Sequence, residues 1–598
     1  MKLDAVQHQA YNNFCYAIDE KQLEISILTG KDIEKVFLHW ADPFRGGTFG
    51  GTFKWKADSL EITEKKSLQT HFRWTVRITP PAKRARYYFT LIAGNEKMYF
   101  LETGFYTEAE FNQFKNFTGC FTFPWMNSAD IMKTPEWASN AVFYQIFPSR
   151  FCRGKSDFLP ENIKEWGKLG EEAKANEVFG GNLQGISDRF DYLEDLGVTG
   201  IYMTPINQAR SQHKYDTEDY LTVDKSFGTN KDLKNLVENA HKHGIRIILD
   251  AVFNHCGWTF PQWQDVVEKR EKSKYVSWFM INDFDFKVDQ KDWRNMDNAI
   301  NLRYYSFAFA DFMPKLNTNN PEVRHYLIDV ATKWVEDYDI DGLRMDVANE
   351  ISHKFIQELK TKMLSLKKDF YIVGEIWHNS EPWLQGNEFD SVMNYPLQNE
   401  ILAFCQNKAQ TVEQFEWGIN RCYSMYYEQA NKVLFNQMDS HDTMRMITRF
   451  GKNKRLSQTA LALLFSMPGT PCIYYGTEIL LEGGDDPDNR RCMPWTEIDA
   501  GTFEDDIKFM KTLIALRKIH PALRGTKIAF ENWSSSQTKS ERLLRISKKD
   551  EHTGEALTLF VNASAENASL PSDTVVLFSN GCKNGMLEPD CFAFVEGC

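Results

Sequence analysis

The chain has 598 residues, of which 42% are hydrophobic and 14% aromatic, so two to four domains with sizeable cores are expected. Its 70 basic and 82 acidic side chains give a formal net charge of −12, which argues against a nucleic-acid partner or an anionic membrane surface. We see no apolar signal segment and no apolar stretch long enough to span a membrane. The eleven cysteines are scattered without a Cys-x-x-Cys pair, which indicates reduced thiols, and we expect a cytoplasmic protein.

The N-terminal part alternates between short apolar segments and turn signals. The clearest predicted strands lie at residues 23–28, 36–40, 72–78 and 87–92. This pattern predicts a β-sandwich domain over residues 1–122, and residues 134–137 read as a linker.

A different rhythm begins near residue 135 and continues to residue 520. Apolar, β-branched strands alternate with segments of helical length, and the predicted strands lie at 142–147, 200–204, 245–253, 342–347, 370–374, 389–394, 433–437 and 472–475. Eight strand–helix units predict an α/β fold of the (β/α)8 TIM-barrel type. A doubly wound parallel sheet is the alternative that the pattern alone leaves open.

One connection in this region is unusually long. More than sixty residues separate the third strand from the helix that begins near Pro321, and they are rich in aromatic residues such as Trp258, Trp263 and Trp278. Long insertions in compact domains are usually functional, so we predict a subdomain over the barrel mouth at about 256–316. Its aromatic side chains either fill a core or stack on a ligand. After residue 521, short strands at 543–546 and 557–561 predict a C-terminal β-sandwich domain, residues 521–598.

Charged residues fall at the ends of the predicted strands. Strand alternation places Arg344 and Asp346 on one face, and the same count places Asp250 and Asn254 together. Charged residues at the carboxyl ends of barrel strands are typical of catalysis. The structural alternative is a buried salt bridge that only stabilises the barrel.

Three carboxylates, Asp346, Glu375 and Asp442, follow apolar strands and could meet in one pocket. Three carboxyl groups in one pocket cannot all be ionised without strong electrostatic repulsion, so their pKa values should differ from one another. The adjacent Arg344 should hold Asp346 ionised, as a nucleophile requires, and Glu375 would then carry the proton of a general acid. Two carboxyl groups with these roles cleave glycosides, and Asp442 remains to bind substrate or a developing positive charge.

Two histidines, His255 and His441, follow strand ends beside polar neighbours. A lone histidine is more often structural than functional. Two histidines at the same barrel mouth favour hydrogen bonds to sugar hydroxyls.

The sequence resembles the α-amylase family of glycoside hydrolases over nearly its whole length. The segments at 250–255, 342–346, 374–377 and 440–442 match four short motifs of that family in the same order. The resemblance implies that Asp346 is the nucleophile, Glu375 the general acid/base and Asp442 the stabiliser of the transition state. It also implies that Arg344, His255, His441 and Tyr215 contact the sugar next to the scissile bond.

Further segments, at 144–148, 313–316, 347–350 and 389–396, resemble those of cyclomaltodextrinases, neopullulanases and maltogenic amylases. This resemblance implies a retaining hydrolase of cyclomaltodextrins, maltooligosaccharides and pullulan, and a starch-binding-like N-terminal domain that forms a homodimer. It implies that Asp486 and Arg490 hold a sugar further from the cut. Trp377, which stands beside the acid in the sequence, and the pair Asn349 and Glu350 are expected to shape the acceptor side. A glucanotransferase and a non-catalytic glucan-binding relative remain the alternatives.

Many relatives carry a calcium site built from an Asn-Gly-Asp segment after the first barrel strand and a later Gly-Gly-Asp. Here the first segment, residues 152–157, contains two cationic side chains, and the later one ends in Asn182. Calcium needs several oxygen ligands. We therefore predict no metal site and no required cofactor, with a structural calcium ion as the alternative.

Overall fold

The computed structural model describes residues 1–45, 55–113, 119–158, 160–175, 177–289, 292, 294–536, 538–572 and 574–597, which form two compact units. The first unit consists of Met1–Lys133, Asn379–Gly386 and Ala409–Asn431. The second consists of Thr134–His378, Asn387–Lys408 and Lys432–Cys598. Two short segments from the later part of the chain therefore belong to the N-terminal unit.

The first unit contains the predicted N-terminal sandwich of two antiparallel sheets. Its strands are β1 (Cys15–Ala17), β2 (Leu23–Gly30), β3 (Lys35–Ala41), β4 (Asp58–Ile62), β5 (Glu64–Ser67), β6 (His71–Ile78), β7 (Ala85–Ala93), β8 (Glu96–Leu101), β9 (Gly104–Tyr106) and β10 (Phe121–Phe123), and the short helix α1 is Glu108–Phe111. One sheet has the order β1-β2-β6-β5, and the other has the order β4-β3-β7-β8-β9 with β10 beside β7. Buried side chains from both sheets, such as Ile25, Trp74 and Phe89, share one core.

The second unit is built on an eight-stranded parallel barrel. The strands of this region are β11 (Phe143–Ile146), β12 (Gly200–Met203), β13 (Asn207–Ala209), β14 (Thr217–Val223), β15 (Arg246–Ala251), β16 (Gly342–Met345), β17 (Tyr371–Gly374), β18 (Ser391–Val392), β19 (Phe435–Gln437) and β20 (Thr470–Tyr474). The barrel order is β18-β17-β16-β15-β12-β11-β20-β19, and a bridge between Met393 and Phe435 joins its two ends. The (β/α)8 prediction is confirmed, and the doubly wound alternative is wrong.

Helices alternate with the barrel strands along the chain. They are α2 (Glu136–Asn140), α3 (Pro148–Phe151), α4 (Leu183–Ser187), α5 (Phe190–Leu196), α6 (Asn230–Lys242), α7 (Pro261–Lys269), α8 (Pro321–Tyr338), α9 (His353–Leu366), α10 (Tyr395–Gln406), α11 (Val412–Ser424), α12 (Glu428–Asn431), α13 (Met446–Arg449), α14 (Lys454–Ser466), α15 (Trp495–Asp499) and α16 (Glu504–Ile519), of which α11 and α12 lie in the first unit. Helix α8 begins where the Asn320 side chain accepts a hydrogen bond from Glu322 N, and it buries Leu327 and Trp334. In the described part of the chain, no helix is both long and apolar enough to cross a membrane.

The third barrel strand is shorter than predicted, and this moves one candidate residue. Strand β15 leaves the sheet after Ala251, where Phe253 N donates to the Ala251 carbonyl oxygen at 3.0 Å. Asn254 therefore lies beyond the strand, and the prediction that alternation places it on the face of Asp250 is wrong. Strand β16 also stops early, but Asp346 N still donates to Ala251 O at 3.1 Å, which keeps Asp346 beside Arg344.

The long insertion after β15 has its own aromatic core. Trp258, Trp263 and Trp278 are buried, and the ring of Trp263 lies 4.8 Å from that of Phe279 and 4.9 Å from that of Tyr304. These tryptophans fill a core instead of presenting a face to a ligand. A bridge between His255 and Lys315 closes the base of the insertion.

The C-terminal region forms the predicted β domain. Its strands are β21 (Lys527–Asn532), β22 (Leu543–Lys549), β23 (Ala556–Asn562), β24 (Ala568–Ser569), β25 (Val576–Ser579), β26 (Cys582–Lys583), β27 (Met586–Leu587) and β28 (Cys591–Glu596). They form a sheet of order β21-β22-β23-β28-β25 and a smaller sheet of order β24-β27-β26. Trp533, Phe560 and Leu587 are among the buried side chains between them.

Candidate active site

A cavity of about 510 Å³ opens where the barrel strands end. Most of the site residues predicted from the sequence line it: Tyr215, His255, Asp346, Asn349, Glu375, Trp377, Asp442, Asp486 and Arg490. The insertion also contributes to its wall, through Phe307 and Met313. The carboxyl ends of the barrel strands therefore bring together residues that lie far apart in the sequence.

Arg344 joins the carboxylates of three neighbouring strand ends. Its side chain is fully buried, and Nη1 donates to both oxygens of Asp250 at 3.0 Å and to Asp346 Oδ1 at 2.8 Å. Its Nη2 lies 2.9 Å from Glu375 Oε2. One guanidinium group therefore fixes the positions of both carboxyl groups that are candidates for the reaction.

The second oxygen of Asp346 is left without a donor. Among the described residues none donates a hydrogen bond to Oδ2, and His255 Nε2 lies 4.0 Å from it. The first oxygen, by contrast, is held by Arg344. Asp346 is thus oriented by one oxygen, while the lone pairs of the other remain available for attack.

Glu375 is held from two sides. Val347 N donates to its Oε2 at 3.0 Å, and Trp377 Nε1 donates to its Oε1 at 3.2 Å. The ring of Trp377 stacks on Tyr395 with centroids 3.6 Å apart, yet 49% of Trp377 stays exposed. Trp377 therefore positions the acid and also offers a free ring face to a ligand.

Asp442 lines the cavity next to a histidine and an arginine. His441 Nε2 is 3.1 Å from its Oδ2, and Arg490 Nη2 is 3.6 Å from its Oδ1. Arg490 also pairs with Asp486 at 2.9 Å and donates from Nε to His441 O at 2.9 Å. Asp442, Asp486 and Arg490 form a charged wall suited to sugar hydroxyls.

Tyr215, in the loop between β13 and β14, links this wall to the centre of the site. Its hydroxyl donates to Asp250 Oδ2 at 3.0 Å and also forms a hydrogen bond with His441 Nε2. His255 Nε2 donates to Tyr215 O at 3.1 Å, and the His255 ring stacks on Phe307 at 5.1 Å. The rings of Tyr215 and His255 are therefore held in place by polar groups that also surround the carboxylates.

Burial is the largest influence on the pKa values of the three aspartates Asp250, Asp346 and Asp442. It raises the pKa of Asp346 well above its usual range, since Arg344 opposes the shift but Glu375 and Asp250 add to it. The prediction that Arg344 holds Asp346 ionised is therefore wrong for the net shift: Arg344 does lower the pKa of Asp346, but burial and the neighbouring carboxylates outweigh it. Burial also raises the pKa of Asp250 to about 6, against the effect of Arg344. It raises the pKa of Asp442, whose carboxylate lies deep in the cavity although 29% of the side chain is accessible.

The three histidines of the site are neutral at neutral pH. Burial lowers the pKa of His213 and of His255 to about 3, and it lowers the pKa of His441 well below its usual value. Each ring therefore carries a single N–H hydrogen, so each nitrogen is either a donor or an acceptor.

Two predicted residues support the site from outside the cavity wall. Lys315 Nζ donates to Asn254 Oδ1 and lies 3.0 Å from Glu350 Oε2, so Asn254 and Glu350 are linked through one lysine at the base of the insertion. Asp250, Arg344 and His441 are buried beside the cavity and act through their contacts.

The sequence interpretation missed several residues. His213, Phe307, Met313 and Val347 line the cavity, Tyr202 donates to Asp250 Oδ2 at 2.6 Å, and Gln145 Nε2 lies 2.6 Å from His441 Nδ1. Tyr202 and Gln145 lie within predicted strands, where a polar side chain in an apolar run was a usable signal. Phe307 and Met313 lie outside the predicted strands, so strand alternation gives no guide to them.

Asn182, the last residue of the second segment considered for calcium, is held by hydrogen bonds within the chain. Asn182 Oδ1 accepts from Gly154 N at 3.1 Å and from Gly185 N at 2.8 Å, and its Nδ2 donates to Gly154 O at 3.0 Å. Asn182 lines a separate cavity of about 500 Å³ together with Lys155 and the side chains of Asp157, Asp188 and Asp232. The Asn182 amide oxygen is therefore already engaged by two backbone N–H groups.

The fold and this site define a class of protein. A (β/α)8 barrel with one positioned carboxylate free to attack and a second held beside it is a glycoside hydrolase. Residues 145–535 match the family described as alpha amylase, catalytic domain, and residues 1–127 match the alpha amylase N-terminal ig-like domain. The chain belongs to the α-amylase family and is an α-glucan hydrolase of that family.

Named relatives cover most of the chain. A cyclomaltodextrinase of Geobacillus thermopakistaniensis is 40% identical over 572 residues, which are 96% of this chain and 93% of that protein. An intracellular maltogenic amylase of Bacillus subtilis is 40% identical over 521 residues, 87% of this chain and 84% of the relative. A solved cyclomaltodextrinase structure matches with a TM-score of 0.87 and 35% identity, and the match covers 100% of both chains.

Proposed function

We propose that this enzyme hydrolyses the α-1,4 bonds of cyclomaltodextrins and maltooligosaccharides in preference to starch, and acts on pullulan, including its α-1,6 bonds. The observation that carries the proposal is the shared guanidinium of Arg344, which holds Asp346 and Glu375 side by side while leaving Asp346 Oδ2 free. The names of the similar cyclomaltodextrinases and of the maltogenic amylase support the substrate class.

The arrangement favours a reaction with retention of configuration. Glu375 protonates the oxygen of the leaving sugar, and Asp346 Oδ2 attacks the anomeric carbon, which gives a covalent glycosyl-enzyme. Glu375, now ionised, then takes a proton from water, and the resulting attack releases the sugar. Retaining enzymes place their two carboxyl groups about 5 Å apart, and adjacent nitrogens of one guanidinium favour such a short separation.

The proposal also covers the cellular location of the enzyme, its oligomeric state and its metal requirement. The enzyme acts in the cytoplasm, as the description of one relative as intracellular and the free, mostly buried thiols of the described chain suggest. It forms a homodimer through its N-terminal domain, which belongs to the ig-like family of α-amylases. It needs no metal ion, since Asn182 is engaged by the backbone.

A glucanotransferase would use the same residues, because transfer and hydrolysis share the glycosyl-enzyme and differ only in the acceptor. The products separate the two activities. Oligosaccharides longer than the substrate that accumulate early indicate transfer, and short products without them indicate hydrolysis. A non-catalytic glucan-binding role is disfavoured because all three carboxylates are present in one cavity.

The test is a digest of β-cyclodextrin, pullulan and soluble starch at equal mass, with products sized by chromatography. The expected result is maltose formed from β-cyclodextrin much faster than from starch. A preference for starch would overturn the substrate proposal, and the absence of cleavage of all three glucans would overturn hydrolysis itself.

A further inference from the structure

Gln145 lies inside the barrel, in contact with a histidine of the site. It belongs to β11, is fully buried, and its Nε2 is 2.6 Å from His441 Nδ1. Gln145 is not among the residues that line the cavity, and among the described residues its side chain forms no hydrogen bond with the three candidate acids. Its one direct hydrogen bond to the described site residues is the bond to His441.

The other nitrogen of His441 faces two oxygen atoms. Asp442 Oδ2 lies 3.1 Å from Nε2, and the Tyr215 hydroxyl forms a hydrogen bond with the same nitrogen. His441 is neutral, so only one of its nitrogens carries a hydrogen. Which nitrogen carries it depends on whether the facing oxygens donate or accept.

The hydrogen-bond partners of Tyr215 settle this direction. Its hydroxyl donates to Asp250 Oδ2 at 3.0 Å, and an ionised Asp250 paired with Arg344 can only accept. The Tyr215 oxygen is therefore left as an acceptor towards His441, and an ionised Asp442 is an acceptor as well. With acceptors on both sides, Nε2 must carry the hydrogen.

It follows that Nδ1 of His441 carries a lone pair and needs a donor. The amide nitrogen of Gln145 supplies that donor at 2.6 Å. The hydrogen bonds then run in one direction, from Gln145 to His441, from His441 to Tyr215, and from Tyr215 to Asp250. In the opposite tautomer the Nε2 lone pair would face the Asp442 carboxylate, which is repulsive.

We propose that Gln145 is a positioning residue that fixes His441 in the Nε2–H tautomer, so that Nε2 always presents a donor to Tyr215 and Asp442. A fixed donor beside Asp442 keeps the Asp442 carboxylate in place as positive charge develops on the sugar. The kinetic part of this inference rests on the proposed glucan hydrolysis, whereas the tautomer itself does not.

The direct test is ¹⁵N NMR of the enzyme labelled in its histidine side chains. The chain has 13 histidines, and the His441 signals are identified as those missing in His441→Gln. In the wild-type enzyme we expect a hydrogen on Nε2 and an unprotonated Nδ1. In Gln145→Met, which has similar volume but no donor, we expect the Nδ1–H form to become populated.

The kinetic test compares Gln145→Met with Gln398→Met. Gln398 is also buried, and its Nε2 donates to Met438 O at 2.8 Å, so this control loses a buried amide hydrogen bond without a contact to His441. For β-cyclodextrin we expect kcat of Gln145→Met to fall about tenfold with little change in KM. Direct removal of a donor to the transition state lowers kcat by about 10²–10³-fold, and Gln145 acts only through His441, so its loss should lower kcat less. We expect Gln398→Met to keep the wild-type tautomer and a kcat within about twofold of the wild type.

An Nδ1–H form of His441 in the wild-type enzyme would overturn the inference, and this measurement needs no variant to fold. An unchanged tautomer in a folded Gln145→Met enzyme, or an equal loss of kcat in both glutamine variants, would also overturn it. If the wild-type enzyme cleaves no glucan, the proposed function fails, but the NMR result still decides the role of Gln145.

Discussion

Arg344 Nη1 lies 2.8 Å from Asp346 Oδ1, and the two residues are separated by a single position at the end of β16. The guanidinium orients one oxygen of the carboxylate, and the other oxygen accepts no hydrogen bond from the described residues. Burial raises the pKa of Asp346, so a carboxylate here costs the folded state free energy that a neutral side chain would not. Ionised Asp346, the form that attacks the sugar, therefore lowers the stability of the folded enzyme.

Replacing Asp346 by Asn should separate activity from stability. Without a nucleophile, the rate of β-cyclodextrin hydrolysis should fall by at least about 10⁴-fold. The amide removes the cost of a buried carboxylate, so the melting temperature at neutral pH should stay the same or rise. Initial rates and thermal unfolding measure the two effects. Asp485→Asn, at an exposed position near the cavity, is the matched control and should keep its activity. Residual activity of Asp346→Asn within about tenfold of the wild type would contradict the nucleophile assignment.

Asp250 should make both stability and activity depend on pH below neutrality. Its pKa of about 6 lies above the ordinary value of 3.8, so the folded state binds this proton more tightly than the unfolded chain does. The stabilisation from this proton is fully present below about pH 4 and is lost as the pH rises through about 6. Ionised Asp250 accepts hydrogen bonds from Tyr202 and Tyr215, so kcat/KM should fall below about pH 6.

The measurement for Asp250 is the free energy of unfolding between pH 4 and 7 for the wild-type enzyme and for Asp250→Asn. The variant has no proton to bind at this position. We expect its unfolding free energy to lack the decrease that the wild-type enzyme shows as the pH rises from about 4 to 6. Parallel curves for the two proteins would show that Asp250 does not titrate in this range.

The sequence predicted the parts of the site that depend on strand periodicity. Arg344 and Asp346 are two positions apart at a strand end, and such a pair stays together even though the strand stops one residue early. Asn254 failed the same argument because β15 leaves the sheet after Ala251, and alternation has no meaning past that point. The acidity of Asp346 also went against expectation, because the number of neighbouring carboxylates and the depth of burial depend on the tertiary structure.

The exposure of aromatic residues likewise depends on tertiary structure and could not be read from the sequence. Trp258 and Trp263 form the core of the insertion, whereas Trp377 has 49% of its surface exposed at the cavity. Their residue type is identical, and only the packing of the insertion distinguishes them. The composition therefore gives the number of aromatic rings but does not show which of them face a ligand.

Trp377 should contribute separately through its ring and through its N–H. Trp377→Phe keeps a ring that can stack on Tyr395 but loses the donor to Glu375 Oε1, so kcat should fall while KM for maltotriose changes little. Trp377→Ala loses both, and KM should also rise about tenfold, as expected from the loss of one stacking contact. Steady-state kinetics of the two variants separates the contribution of the Trp377 ring from that of its N–H group. Equal KM values in both variants would show that the exposed ring face does not bind substrate.

Asn182 should make the enzyme independent of calcium. Its side chain makes three hydrogen bonds with Gly154 and Gly185, and it caps the N-terminus of α4. Treatment with EDTA should therefore leave both the melting temperature and the rate of β-cyclodextrin hydrolysis unchanged. Asn182→Ala should lower the free energy of unfolding by about 2 to 3 kcal/mol, because a cap and further hydrogen bonds are lost from a buried position. Asn182→Asp keeps the acceptor for both glycine N–H groups but lacks the donor to Gly154 O, so its loss should be smaller. A melting temperature that falls with EDTA and recovers with added calcium would show that an ion is bound here, and that the hydrogen bonds of Asn182 do not replace it.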